Sequence, residues 1–412
     1  MTSIALGSDA LRRSLQQVEK RRRRMAISLT LPLLLFLLAT LLVPIGALLL
    51  RAIENPEVAG SLSRTGAALA GWDGHGEPPA AAFAAVVADL GALEEASKAG
   101  ALARRLNTDT AGARSLIMGT YKALPLGEGL NAAQIRERLL ALDGRWAELK
   151  YWQAIAKNAS RWTPDYLLTA VDLRRGVDGS VERVAPDQRV FGRILLRTFE
   201  IAFVVTACCL LLAYPLAYWL STLPARRANL LMILVLVPFW TSILVRVAAW
   251  IVLLQREGLV NRALAGLSVI DEPLALLFNR TGVVIAMVHI LLPFMILPLY
   301  SVMKSVPPTY MRAAVSLGSP PLAAFFRVYL PQTWPGVGAG ALLVFILSIG
   351  YYVTPALLGG ADDQMLSYYI AQYTNVDINW GMACALGAVL LSATLVLYAL
   401  YRHVVKSELS LG

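Results

Sequence analysis

The stretch K-S-V-P-P-T-Y-M-R-A-A-V-S-L-G-S-P-P-L-A-A-F-F-R-V-Y-L-P, Lys304 to Pro331, is a polar break between two long apolar runs, Gly282–Met303 and Gly336–Leu358. Tyr310 to Leu317 is a short helix-forming run. Gly318 can take the left-handed conformation that closes it, Ser319 can cap a second helix, and Pro320 suits that helix's first turn. Two short helices therefore meet at a glycine elbow. The second presents Leu322, Phe325, Phe326 and Tyr329 at helical spacing, a stripe that needs something to bury against. A partner surface would serve; so would a bilayer surface, if the segment is an amphipathic connector.

Working outward, six apolar runs approach or exceed the roughly 20 residues needed to cross a bilayer: Ala26–Leu50, Ile194–Leu220, Leu230–Leu254, Gly282–Met303, Gly336–Leu358 and Gly381–Tyr401. A 57% hydrophobic content with mean hydropathy +0.59 is above that of an ordinary soluble domain. The first run follows Lys20-Arg21-Arg22-Arg23-Arg24. It is too long for a signal-peptide core of about 7–15 residues and reads as an uncleaved anchor.

Charge sets the expected orientation. The excess positive charge falls on alternate loops: residues 1–25 carry +5, 221–229 carry +2, 304–333 carry +3, and the tail after Tyr401 carries +1, while the rest of the chain contributes −1 to the net +10. The long segment 51–192 holds 17 basic and 17 acidic residues. This positive-inside pattern places both termini and the Arg312 loop in the cytoplasm. No soluble region has a basic patch with interleaved aromatics, so nucleic-acid binding has no support.

Segment 51–192 is too long for a connector and must fold outside the membrane. Pro79 to Leu106 is alanine-rich, Asn131-Ala132-Ala133-Gln134 has the form of a capping box opening a helix to about Lys157, and Thr163-Pro164-Asp165 opens another through Leu173. Trp146, Trp152, Trp162 and Tyr166 are its expected core. The segment has no cysteine; Cys208, Cys209 and Cys384 fall in the apolar runs, where they read as apolar filler rather than a redox or metal site.

Catalytic chemistry finds no purchase. The G-x-x-x-x-G-K-[ST] phosphate loop is absent, so the chain is not expected to hydrolyse ATP. His75, His289 and His403 show no ligand spacing, and His75 in Gly71-Trp72-Asp73-Gly74-His75-Gly76 reads as a turn residue. Ionisable residues inside the apolar runs carry more meaning, because charge in hydrocarbon is costly. Arg246 lies in the third run, Glu200 near the outer part of the second and His289 in the fourth. Arg246 and Glu200 either line a pathway or reach outward to the interface.

Arg312-Ala313-Ala314, Gly318 and then Val328-Tyr329-Leu330-Pro331 resemble, in order and spacing, the cytoplasmic EAA loop of bacterial ABC importer permeases. Arg312 stands where that motif carries glutamate. The run P-F-W-T-S-I-L-V-R-V-A-A-W-I-V-L-L from Pro238, followed by Gly258-Leu259-Val260-Asn261, is similar to spermidine/putrescine-type permeases. So is Tyr352-Val353-Thr354-Pro355-Ala356-Leu357-Leu358-Gly359-Gly360. The resemblance covers about residues 190–405.

The resemblance implies an all-α integral membrane subunit with six transmembrane helices, a type I (MetI-like) permease core and a helical periplasmic insertion between the first two. Residues 1–25 would be a cytoplasmic tail, 26–50 the first span, 51–192 the insertion, 193–405 the core with its loop at 304–333, and 406–412 a second tail. It implies a place in the bacterial inner membrane, a second permease, a pair of ATPase subunits that bind ATP and Mg, and a periplasmic binding protein. Arg312, Ala313, Ala314, Gly318, Phe325, Leu330 and Pro331 would form the ATPase-coupling loop. Glu200, Trp240, Arg246, Trp250, His289, Tyr351 and Tyr352 are the candidate pathway residues. A polyamine is the leading solute and fits the acidic and aromatic groups Glu200, Asp362, Asp363 and Trp380. Arg246 would repel it, which keeps an amino-acid-like or other small amine or carboxylate compound open. A secondary transporter would show an internal repeat, and none is found. A membrane sensor would need a larger cytoplasmic segment than any present.

Overall fold

The structure, a computed structural model, describes residues 2–409 apart from residues 128, 177 and 178. The ends of the expected tails, Met1 and residues 410–412, lie outside the described residues. Two units emerge, residues 1–51 and 52–412. The first is a single helix, α1 (Thr2–Arg51), whose Lys20–Arg51 part is long and apolar enough to span a membrane.

The second unit begins with a helical module: α2 (Pro56–Ala59), α3 (Ser63–Ala68), α4 (Ala80–Gly91), α5 (Ala96–Asp109), α6 (Ala113–Ala123), α7 (Ala132–Leu142), α8 (Leu149–Asn158) and α9 (Asp165–Ala170). Asn131 and Gln134 form a reciprocal capping box at the start of α7. The helix it opens stops at Leu142 instead of running to Lys157. Asp143 is extended, and its carboxylate accepts from the Arg145 backbone N–H and guanidinium, a local arrangement that competes with the helix. That guanidinium holds the Asp143 carboxyl below its usual range. Likewise the alanine-rich run divides into α4 and α5.

The module core centres on Trp152, whose ring lies 4.6 Å from Phe83 and 5.2 Å from Trp146. Both indoles are paired: Trp146 Nε1 donates to Thr120 Oγ1 and Trp152 Nε1 to the Trp146 carbonyl. Trp162 does not join them; it is 51% exposed. Tyr166 is buried, but at the module's edge. The balanced charge of the segment is partly internal. Buried Arg105 pairs with Asp109 at 3.1 Å and donates to Asn158 Oδ1 at 2.7 Å, and Arg175 pairs with Asp165.

One departure from an all-helical module is an antiparallel hairpin, β1 (Leu173–Arg175) with β2 (Val181–Arg183). Arg174 stands directly opposite Glu182 and pairs with it at 3.2 Å, a cross-strand contact that favours this register. Thus α9 ends at Ala170 and Leu173 is in a strand, not in a helix. Asp172, at φ +58°, then turns its carboxylate onto the next helix. Its oxygens accept from Val190, Phe191 and Gly192 N–H at 2.7–3.0 Å, satisfying donors that a helix start leaves free.

The remaining helices are α10 (Phe191–Thr222), α11 (Ala225–Leu236), α12 (Ile243–Leu254), α13 (Leu259–Gly266), α14 (Arg280–Ser305), α15 (Thr309–Ser316), α16 (Pro321–Ala324), α17 (Leu330–Ile349), α18 (Val353–Leu358), α19 (Leu366–Asn375) and α20 (Trp380–Leu409). Among the described residues, five helices are long and apolar enough to cross a membrane, or six if a bent pair counts as one. That pair contains the expected third span, Leu230–Leu254, and bends within it: 225–240 and 243–266 meet at 94°. Pro238 sits in a tight turn, and Thr241 and Ser242 are extended, so no α-helical hydrogen bonding crosses the corner. The fifth run also ends early, at Ile349, and Val353–Leu358 is a separate helix.

Helices α10, α14 and α17 form the central pack. Cys209 and Ala213 of α10, Met287, Leu291 and Met295 of α14 and Val344 of α17 are all within its buried cluster. Gly340 permits the close approach of α17 to α14, since a Cβ there would stand 2.8 Å from Met295 Sδ and 3.1 Å from its carbonyl oxygen.

Candidate functional site

The elbow is built by local chemistry. α15 closes through Gly318 at φ +90°. Gly318 N–H donates to the Val315 carbonyl and Ser319 N–H to the Ala314 carbonyl, both at 3.0 Å, the paired pattern of a glycine-closed helix end. The second limb starts one residue later than the sequence indicates. Pro320 is the cap residue and Pro321 opens α16, with no side-chain cap from Ser319. The limb then runs through a π turn, Phe325–Tyr329, into α17, so the elbow and the span are one continuous helical stretch from Pro321 to Ile349. Such π turns recur at functional positions.

The apolar stripe on this limb divides. Phe325 and Tyr329 turn inward and stack at 5.6 Å, and Tyr218 of α10 meets them edge-on at 5.4 and 5.2 Å. Tyr214 hydrogen-bonds to Thr333 at 3.0 Å. Leu322 and Phe326 stay exposed, at 75% and 60%, beside Leu317 at 89%. Arg312, Ala313 and Pro331 are exposed, whereas Ala314 and Leu330 are half-buried. Lys304, at the end of α14, donates to the Ser221 and Leu223 carbonyls at 3.1 and 3.0 Å, which caps the end of α10.

Four of the seven pathway candidates come together. On α12, Arg246, Val247, Trp250 and Leu254 lie on the packed face, while Leu244, Val245 and Val252 are exposed. Trp250 Nε1 donates to His289 Nδ1 at 3.2 Å, with the rings 5.4 Å apart. That bond requires a lone pair on Nδ1, so the imidazole proton resides on Nε2. Arg246 is close enough to act electrostatically on both His289 and Tyr351, and its Nε is buried without a hydrogen-bond partner. The Tyr351 carbonyl accepts from Ser367 Oγ at 2.7 Å, fixing the break after α17.

The other three lie apart from this group. Trp240 is 78% exposed at the corner before α12, and Tyr352 is 45% exposed. Glu200 is engaged elsewhere, 2.7 Å from Arg280 Nη1, and Arg280 Nε is 3.3 Å from Asp363 Oδ1. Arg197 donates to the Asp362 carbonyl. Of the acidic groups that looked available to a cation, the Glu200 and Asp363 carboxylates are thus occupied by Arg280 of the same chain. Arg280 has no sequence signal of its own, since its partners are 80 and 83 positions away.

Span-length helices α10, α14 and α17 packed about a common core, a folded module and an exposed apolar elbow fit a membrane transport subunit. A family model described as binding-protein-dependent transport system inner membrane component matches residues 210–408. The spermidine/putrescine transport system permease protein PotB of Escherichia coli K12 is 36% identical over 197 residues, 48% of this chain and 71% of that protein. PotB of Haemophilus influenzae is 34% identical over 215 residues, 52% and 75% respectively. A solved bacterial alginate ABC transporter, in complex with a periplasmic protein bound to alginate pentasaccharide, is similar with a TM-score of 0.44 at 17% identity, covering 53% of this chain and 79% of its own. The chain belongs to the binding-protein-dependent transport system inner membrane component family. It is a multi-pass inner-membrane permease subunit of an ABC importer, a transport component and not an enzyme.

Proposed function

We propose that this permease passes a polyamine of the spermidine/putrescine type across the inner membrane, with six spans, both termini in the cytoplasm and residues 52–190 outside. The likeness to the PotB permeases supports the solute class. The single observation that carries the coupling role is the Gly318 elbow: one limb is continuous with α17 and packed on α10, and its outer edge exposes Leu317, Leu322 and Phe326. An ATPase seated there moves a whole span as a rigid lever. The partners are a pair of ATPase subunits, which bind ATP and Mg, a second permease and a periplasmic binding protein. Solute passes the Arg246, Trp250, His289 and Tyr351 group.

A second reading is favoured by Arg246, whose unpartnered Nε beside His289 suits a solute that also carries a carboxylate or similar anion. The test is ATP-driven uptake by the assembled complex in proteoliposomes. Labelled spermidine, putrescine and small amino acids are supplied with the cognate binding protein. Polyamine uptake is expected; transport of amino acids alone would replace the first reading with the second. ATP turnover by the isolated chain would overturn the division of labour.

A further inference from the structure

The two ends of the α10–α14 pair are joined by different chemistry. At the elbow end Lys304 caps α10 through two carbonyls, and the Tyr214, Tyr218, Phe325 and Tyr329 rings interlock beside it. At the other end, about 39 Å away along the 26 residues of α14, apolar packing between these helices is joined by a charge contact. Arg280, the first residue of α14, reaches Glu200 of α10 at 2.7 Å and Asp363 of the 359–364 loop at 3.3 Å. Asp363 in turn accepts from Gly360 N–H, holding the loop's shape.

We propose that Arg280 is a positioning residue for transport. It latches α10, α14 and the 359–364 loop together at the end remote from the elbow, and this latch opens when solute is admitted. The inference rests on reading these spans as the solute's route and is independent of which solute it is.

Two observations favour a contact that is made and broken over a fixed brace. Side chains of Arg280 and Glu200 are 42% and 54% exposed, so the pair is not sealed within the helix pack, and where such a pair meets water it contributes little net stability and is screened by salt. Beside them, Gln364 is only 9% exposed yet leaves Oε1 without a partner. A buried unpaired acceptor is a cost that a rearranged loop relieves. Thr198 of α10, by contrast, accepts from Leu366 N–H at 2.8 Å. That keeps α19 with α10, so opening separates α14 from both.

The experiment uses the complete importer in proteoliposomes and compares ATP hydrolysis with and without binding protein, at low and high salt. In the wild type, hydrolysis without binding protein should be low and should rise with salt. Arg280→Gln should raise it several-fold at low salt, remove the salt dependence and lower uptake per ATP. Arg280→Lys should restore the wild-type pattern in part, because an ammonium lacks the fork that spans two carboxylates. A purely structural role predicts that both activities fall together with complex yield. Unchanged dependence on binding protein and an unchanged salt response in Arg280→Gln would overturn the latch. Should that variant fail to assemble, Glu200→Gln, which keeps the Arg280–Asp363 contact, reads the same ratio with the same two outcomes. Loss of wild-type uptake of every solute would fault the route, whereas an unchanged ratio faults only the latch.

Discussion

The ring of Tyr166 in α9 is seated on Gly381 at the start of α20, so closely that a methyl group on Gly381 would stand 2.4 Å from Cε2 and Cζ. Arg105 covers the ring at 4.7 Å and is itself held by Asp109 and Asn158. Contact therefore runs without a gap from the module's buried charges to the start of a span. With Asp172 capping α10, the module is joined to two span-length helices.

Gly381→Leu should force that ring aside, at a cost of about 1–3 kcal/mol for overpacking. The outcome to look for is faster proteolytic cutting within residues 52–190 while the spans stay protected. An unchanged cutting rate would mean that the Tyr166 seat does not hold the module.

If the module forms part of the landing surface for a loaded binding protein, removing it should weaken that interaction about tenfold or more. Excision should stop before Asp172, so that the cap on α10 survives, with a short flexible linker replacing residues 63–168. Binding-protein affinity for the assembled complex is the readout. Equal affinity and equal transport would leave the module with a packing role alone.

Much of this was legible in the sequence wherever the determining residues are neighbours. Gly318 with its flanking prolines, and Asn131 with Gln134, act over three or four positions, and the structure places a helix end at each. The Thr241-Ser242 corner was hidden because the apolar run 230–254 is continuous, and hydropathy does not report direction. The sequence also could not divide the elbow stripe: Phe325 and Tyr329 are inward only because Tyr214 and Tyr218, over a hundred positions earlier, meet them. Arg280 and Asp172 act on partners far along the chain, and the residues around them follow no recognisable spacing.

Gly318→Val places a β-branched residue at φ +90°, with an expected cost of about 1–3 kcal/mol for the left-handed backbone. No atom lies within 4 Å of the added Cβ, so the effect isolates backbone strain from crowding. Gly318→Asn, which tolerates that conformation better, should keep more activity. ATP-driven uptake at equal membrane abundance checks this, and equal transport by the valine variant would remove the coupling role.

Arg246 carries the strongest prediction about the pathway. It sits on the packed face of α12 with an unpartnered Nε and acts on His289 and Tyr351. A guanidinium offers a planar fork of donors that an ammonium lacks, so Arg246→Lys should recover only part of the function and Arg246→Ala should lose tenfold or more. Trp250→Phe supplies the control: it keeps the ring packing but removes the hydrogen bond that orients His289. It should lower uptake less than Arg246→Ala does, by about the factor of 2–10 expected of one hydrogen bond. If Arg246 only reached outward to the interface, lysine would replace it fully and alanine would cost little. Near-wild-type uptake by Arg246→Ala, at matched membrane abundance, rejects the pathway role.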